Sequence, residues 1–145
     1  MALRNRLFAA ASALRNALNE VPPWESFPHG YCTAASWLLV TYLVEWLGIE
    51  PIEVVAKGER QLPTDDPDLP TRQGHMWVEH GSFIVDITAD QFEDRSETVI
   101  VTTDRTWHDQ FIGQTRYDQR EFLPLRGPLI EHFRNIEHLL RVPAK

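Results

Sequence analysis

Cys32 is the only cysteine of this 145-residue chain and stands in FPHGYCTAASWLL, directly after a Pro-His-Gly turn and where an apolar helix is predicted to begin. A thiol at a helix N-terminus can act as a nucleophile, because unpaired N–H groups and the positive end of the helix dipole stabilise its thiolate. The same N–H groups could bind the oxyanion of a tetrahedral intermediate. Taken alone, a lone cysteine is more often a small buried residue. The position of Cys32 therefore indicates chemistry only if a base lies nearby.

A histidine and a carboxylate that could serve this thiol occur in HMWVEHGSFIVDIT, residues 75–88. If His80 and Gly81 form a two-residue turn, His75 lies directly opposite Asp86 on the next strand. The other face of this hairpin is then uniformly apolar, with Met76, Val78, Phe83 and Val85. A carboxylate bonded to one imidazole nitrogen leaves the other nitrogen to take the thiol proton. We therefore predict a catalytic triad of Cys32, His75 and Asp86.

A structural or surface His–Asp pair without chemistry is the alternative for the hairpin. Four further side chains are candidates for substrate binding because they precede the cysteine, share the face of the histidine or follow the aspartate strand: Trp24, Tyr31, Trp77 and Gln91. An H-x-x-C pair, His29 and Cys32, could begin a zinc site, but a second cysteine is missing and the spacing to the hairpin histidines is not a known ligand pattern. We predict no metal and no cofactor.

The elements that must position these residues follow from hydrophobic periodicity and from Gly and Pro breaks. In chain order we predict an amphipathic helix over 1–20, an apolar helix over 31–47 ended by Gly48, a strand over 51–57, a polar Pro-rich loop over 58–74, the hairpin, a strand over 98–103 and a helix over 128–141 begun by Pro128. This order predicts one α+β domain, 1–145, in which an antiparallel sheet of about four strands packs against a buried cysteine helix.

The composition is that of an ordinary globular protein, with 43% hydrophobic residues, 24% charged residues and a net charge of -7. The acidic balance argues against partners that are bound by bulk positive charge, so we predict no nucleic acid and no membrane partner. The early arginines and small residues of the N-terminus faintly resemble a signal peptide, but Arg15 ends the apolar run. A single cysteine fits a reducing compartment, and we expect a cytoplasmic protein.

GYCTAASWLLVTYL followed by HMWVEHGSFIVDIT resembles the core of transglutaminase-like cysteine enzymes of the broad papain-like group, in which a helix-start cysteine precedes a strand histidine and then an aspartate on the next strand. The resemblance covers about residues 27–92. It implies that Cys32 is the nucleophile, His75 the base and Asp86 the residue that orients the base. The calcium sites of the larger animal-type transglutaminases are not supported, because the chain has no D-x-D-x-D-G pattern.

The residues and the resemblance together predict a cysteine hydrolase or acyltransferase that acts on amide bonds of a protein or peptide through a thioester. A peptidase and a glutamine deamidase or amidase both fit this description. The alternative is a catalytically silent papain-like adaptor module that binds a partner through Trp24, Phe27 and Tyr31. The sequence leaves the oligomeric state open.

Overall fold

A computed structural model of the protein describes residues 2–22, 27–28, 31–61 and 72–140. Within these residues the chain forms three α-helices and five β-strands. In chain order they are α1 (Leu3–Glu20), α2 (Cys32–Thr41), β1 (Glu53–Gln61), β2 (Arg72–His80), β3 (Phe83–Asp86), β4 (Ile100–Thr102), β5 (Thr115–Asp118) and α3 (Pro128–Ile136). A π-helical turn, Tyr42–Trp46, extends α2, and short 3-10 turns connect several of the other elements.

The five strands form one sheet in the order β4-β3-β2-β1-β5, and every neighbouring pair is antiparallel. The predicted mixture of helices with an antiparallel sheet is confirmed in this form. The predicted number of about four strands is too low, because β5 escapes a search for apolar alternation: its TRYD sequence leaves three of four residues exposed on the sheet edge.

The helices pack on one side of the sheet, and a smaller aromatic cluster covers the other side. Successive strand residues point to opposite faces. The helix side is a continuous core that includes Leu14, Leu38, Phe133, Val54, Val78 and Val85. The other side carries Val55, Trp77, Ile84, Ala89, Phe92, Ile100, Trp107 and Phe111. Apolar residues thus lie on both faces of the central strands.

The helix ends follow the local signals in the sequence. Leu7, Leu14 and Leu18 of α1 are buried at helical spacing, as the amphipathic pattern predicts. Gly48, after the π-helical turn, has a φ of 64°, which glycine adopts without steric cost. Pro128 occupies the first turn of α3, where its missing N–H is not needed.

The predicted hairpin register is wrong by two residues. His80 pairs with Phe83 and Val78 with Val85, so Gly81 and Ser82 form the turn. The reason is the positive φ of 58° at Gly81, which places the glycine at the first turn position. His75 and Asp86 are therefore not direct partners. A shift of two residues preserves the faces, however, because side chains alternate with a period of two.

The remaining differences concern element bounds. Strand β1 runs two residues later at its start than predicted and continues to Gln61 through a bulge between Val55 and Gly58. The C-terminal helix ends at Ile136 and passes into the 3-10 turn Glu137–Leu139. The acidic part of the predicted loop, 62–71, lies outside the described residues. Among the described helices, none combines the length and the apolar character needed to cross a membrane.

Candidate active site

Cys32 is the first residue of α2, as predicted from the Pro-His-Gly turn before it. The preceding residue, Tyr31, is buried, its N–H donates to the Pro28 carbonyl oxygen at 3.1 Å, and its ring meets the Phe27 ring edge-on at 5.4 Å. Cys32 itself is partly exposed. The buried tyrosine thus anchors the helix start, while Cys32 beside it keeps partial exposure.

His75 lies in β2 on the aromatic side of the sheet, and its side chain has an exposed fraction of 0%. Four aromatic rings surround the imidazole with centroid distances between 5.0 and 5.9 Å: Phe92, Trp77, Phe111 and Trp107. This cage leaves the imidazole few rotamers. It also removes water that would otherwise compete for the ring nitrogens.

Asp86 is the last residue of β3, and three N–H groups from separate parts of the site converge on its buried carboxylate. Oδ2 lies 2.7 Å from His75 Nε2 and 2.8 Å from His108 Nε2, and Oδ1 accepts from the Thr88 N–H at 3.0 Å. An ionised carboxylate only accepts hydrogen bonds, so both imidazoles donate their Nε2–H. The structure therefore joins His75 and Asp86, although not as direct strand partners.

The pKa values of His75 and Asp86 shift in opposite directions, upward for His75 and downward for Asp86. Burial alone would raise the pKa of Asp86, but the charge of His75 and the bonds from His108 and His75 outweigh it and lower the pKa well below the usual value. Burial alone would lower the pKa of His75, but the charge and bond of Asp86, followed by the bond and charge of Cys32, raise it to about 9. The geometry thus favours an ionised carboxylate beside a protonated imidazole.

The Cys32 side chain is near enough to the imidazole to help raise the pKa of His75. Because Asp86 occupies Nε2, Nδ1 is the nitrogen left for the thiol proton. The side-chain nitrogen of Gln91 lies 3.3 Å from the same Nδ1. In β2, only 78–80 pair with β3, so the strand edge beside His75 is not covered by β3. The start of α2 can reach the imidazole at this edge, although α2 packs on the opposite side of the sheet.

Two of the predicted substrate-binding residues, Gln91 and Trp77, contact His75 in different ways. Gln91 is partly exposed in a 3-10 turn, Ala89–Gln91, and touches the imidazole. Trp77 has an exposed fraction of 1% and supports His75 from within the core. Tyr31 is buried beside Cys32, and burial raises its pKa to about 12. Trp24 lies outside the described residues.

Two residues of the site were missed by the sequence analysis. His108 bonds Asp86 from a 3-10 turn, His108–Gln110, and its only sequence signal is that Trp107 and Phe111 flank it with a spacing that favours burial. Arg15 of α1 binds the segment that follows Asp86. Its guanidinium donates to both carboxylate oxygens of Asp90 at 2.6 and 2.8 Å and to the Ile87 carbonyl oxygen at 2.7 Å. No local pattern in the sequence predicts this ion pair, because Arg15 and Asp90 lie 75 residues apart.

Among the described residues, His75, Asp86 and His108 form a group of metal-ligand types whose atoms all lie within 4.8 Å of one another. The N–O separations of 2.7 and 2.8 Å are hydrogen-bond lengths. Ligands of a tetrahedral zinc ion, with bonds of about 2.0 to 2.2 Å, stand farther apart than this, at roughly 3.3 Å. The group therefore fits a proton-sharing network as it stands.

Comparisons with known proteins give no match for the chain, whether with protein-family models, curated proteins or solved structures.

Proposed function

We propose that the protein is a cysteine hydrolase or acyltransferase that acts on amide bonds through a thioester, as a peptidase or a glutamine deamidase or amidase. One observation carries the proposal: a thiol at a helix start is near enough to raise the pKa of an imidazole whose Nε2 is bonded to a buried carboxylate. This is the arrangement that a thiol nucleophile needs, with a base beside it and an orienting group behind the base.

In the proposed reaction His75 already holds the thiol proton at Nδ1 as an imidazolium, and the Cys32 thiolate attacks the amide carbonyl carbon. The carbonyl oxygen becomes an oxyanion, which the unpaired N–H groups of the first turn of α2 can stabilise. His75 then returns its proton to the leaving nitrogen, the C–N bond breaks, and an amine departs from a thioester. Water, or an acceptor amine in an acyltransferase, attacks the thioester and gives its proton to His75, which releases the product and the thiol.

Gln91 has a place in this scheme because its amide touches the Nδ1 side of His75, where the thiol and the substrate carbonyl would meet. An amide N–H in this position can donate to a developing oxyanion. The papain-like, transglutaminase-like core belongs to the same proposal. Its support is the order of a helix-start cysteine, a strand histidine and an aspartate that ends the next strand.

The reactivity of Cys32 tests the proposal without a known substrate, because Cys32 is the only thiol in the chain. A free thiol is half ionised near about pH 8.5, so at pH 6.5 only about 1% is thiolate. A thiolate paired with imidazolium is fully ionised there but somewhat less nucleophilic. We expect iodoacetamide to alkylate wild-type Cys32 roughly 10-fold faster at pH 6.5 than it alkylates Cys32 of His75→Ala.

Asp86→Asn gives a second reading in the same assay. One amide oxygen cannot accept from three N–H groups, so the imidazole loses its orientation, and the rate at pH 6.5 should also fall roughly 10-fold or more. A wild-type rate profile centred near pH 8.5 that neither variant changes contradicts the proposal. That outcome favours a silent adaptor module.

The substrate class can be found by mass spectrometry of a cell lysate treated with active protein or with Cys32→Ala. New peptide termini that need the thiol identify a peptidase. A gain of about one dalton on glutamine identifies a deamidase, and new amide links identify an acyltransferase. If the lysate shows no thiol-dependent change and Cys32 is unreactive, the result favours the alternative of a silent adaptor module.

A further inference from the structure

His108 is a second imidazole on the Asp86 carboxylate, and it reaches that carboxylate from 22 residues farther along the chain. Its Nε2 lies 2.8 Å from the same oxygen that His75 contacts at 2.7 Å, and its exposed fraction is 1%. We propose that His108 is a positioning residue, which holds the Asp86 carboxylate in the orientation that bonds His75. This inference rests on the proposed function, because it concerns how the same site is kept ready to react.

The role follows from how many donors the carboxylate has. Asp86 is almost fully buried, so its charge depends on protein N–H groups for stabilisation. Thr88 fixes Oδ1, and the two imidazoles approach Oδ2 together. Without His108, each oxygen keeps one donor, and the carboxylate gains freedom to turn about its Cβ–Cγ bond. The direction of the His75 bond, and hence of Nδ1 toward Cys32, then becomes less defined.

His108 is itself held firmly, as a positioning residue must be. Its ring packs edge-on against the rings of Trp77 at 4.7 Å and Trp107 at 4.8 Å. The Gln114 side chain donates to the carbonyl oxygens of His108 at 3.1 Å and of Phe111 at 2.8 Å, which ties down the turn. These contacts support the imidazole in the orientation that points Nε2 at Asp86.

Two replacements separate positioning from packing. In His108→Gln the amide N–H can stand where the imidazole Nε2–H stands, so the donor is kept. In His108→Phe an aromatic ring fills the slot between the two tryptophans without any donor. His108→Asn is a third variant: it stays polar, but its shorter amide does not reach Oδ2. If the role of His108 is only structural, all three variants change the stability of the protein and leave the reactivity of Cys32 unchanged.

The experiment measures the iodoacetamide alkylation rate of Cys32 in the full chain from pH 5 to 10 by intact mass, with folding checked by circular dichroism. We expect His108→Gln to keep the wild-type profile within about 3-fold. We expect His108→Phe and His108→Asn to lower the rate at pH 6.5 roughly 10-fold, with profiles shifted toward that of a free thiol near about pH 8.5.

A wild-type profile in any folded variant that leaves Oδ2 of Asp86 without its second donor overturns the inference, and the Asn variant serves this purpose if the Phe variant does not fold. An equal loss in the Gln variant also overturns it, because the donor is then not what matters. These results are distinct from failure of the proposed function, which shows as a wild-type profile that His75→Ala leaves unchanged.

Discussion

The raised pKa of His75 predicts that the protein loses stability as the pH rises from about 6.5 to 9. Burial opposes protonation of the imidazole, but the charge and bond of Asp86, together with Cys32, bring the pKa to about 9 against an ordinary value of 6.5. The folded-state pKa lies above the unfolded one, so the protonated imidazole stabilises the fold fully below pH 6.5. That contribution is lost as the pH rises through the folded-state pKa.

The size of the loss follows from the separation of the two pKa values. The interval from 6.5 to about 9 corresponds to roughly 3 kcal/mol of unfolding free energy for this buried group. A loss of this size is a large share of the roughly 5 to 15 kcal/mol that stabilises an ordinary domain. It should therefore be visible in urea denaturation at several pH values.

The matched control is His75→Gln, because the glutamine amide can donate to Asp86 but does not titrate. We expect the stability of the wild type relative to this variant to fall by roughly 3 kcal/mol between pH 6 and 9.5, a range that ends below the ordinary tyrosine pKa of about 10. Cys32→Ala should show a smaller fall, since the thiol contributes to the raised pKa. A difference between wild type and His75→Gln that stays constant over this range would contradict a raised pKa of His75.

Two further predictions concern the elements that hold the site. Arg15→Met should lower the unfolding free energy measured in urea by about 3 kcal/mol, because it leaves the Asp90 carboxylate without its two short hydrogen bonds. Adding Asp90→Asn should recover part of this loss. An Arg15→Met variant as stable as the wild type would contradict the prediction. Gly58→Ala should cost about 1 to 3 kcal/mol, since a Cβ there would lie 2.9 Å from Phe111 Cβ, whereas the control Gly74→Ala meets its nearest atom at 3.7 Å and should cost less in the same titration.

The hairpin shows why a face is easier to predict than a register. Alternation of apolar residues from Met76 to Val85 is enough to say which side chains point the same way. The turn depends instead on which residue takes a positive φ, and Gly81 does so at the first turn position, whereas the predicted His80–Gly81 turn put it at the second. The resulting two-residue error leaves His75 on its predicted face. An error of one residue would have turned His75 into the helix-side core.

The contacts of Arg15 and His108 show where prediction from one sequence ends. Each depends on a distant segment of chain that returns to the sheet: α1 for Arg15, and the stretch after β4 for His108. Local periodicity predicts that a helix or a buried turn forms, but not which loop it will touch. The proximity of Cys32, His75 and Asp86 could be predicted from the sequence because His75 and Asp86 share one hairpin and Cys32 begins a helix with clear end signals.

The cost of burying a charge bears on whether this cluster exists for packing or for chemistry. Asp86 has an exposed fraction of 1%, and its ionised form requires two imidazoles and a backbone N–H around it. Buried ionic groups are seldom the cheapest way to fill a core, since apolar side chains of similar volume often give equal or greater stability. Phe92, Trp107 and Phe111 already supply an aromatic interior at this place. A charged cluster inside that interior, with the only thiol of the chain near His75, therefore supports the proposed reactive role of the site.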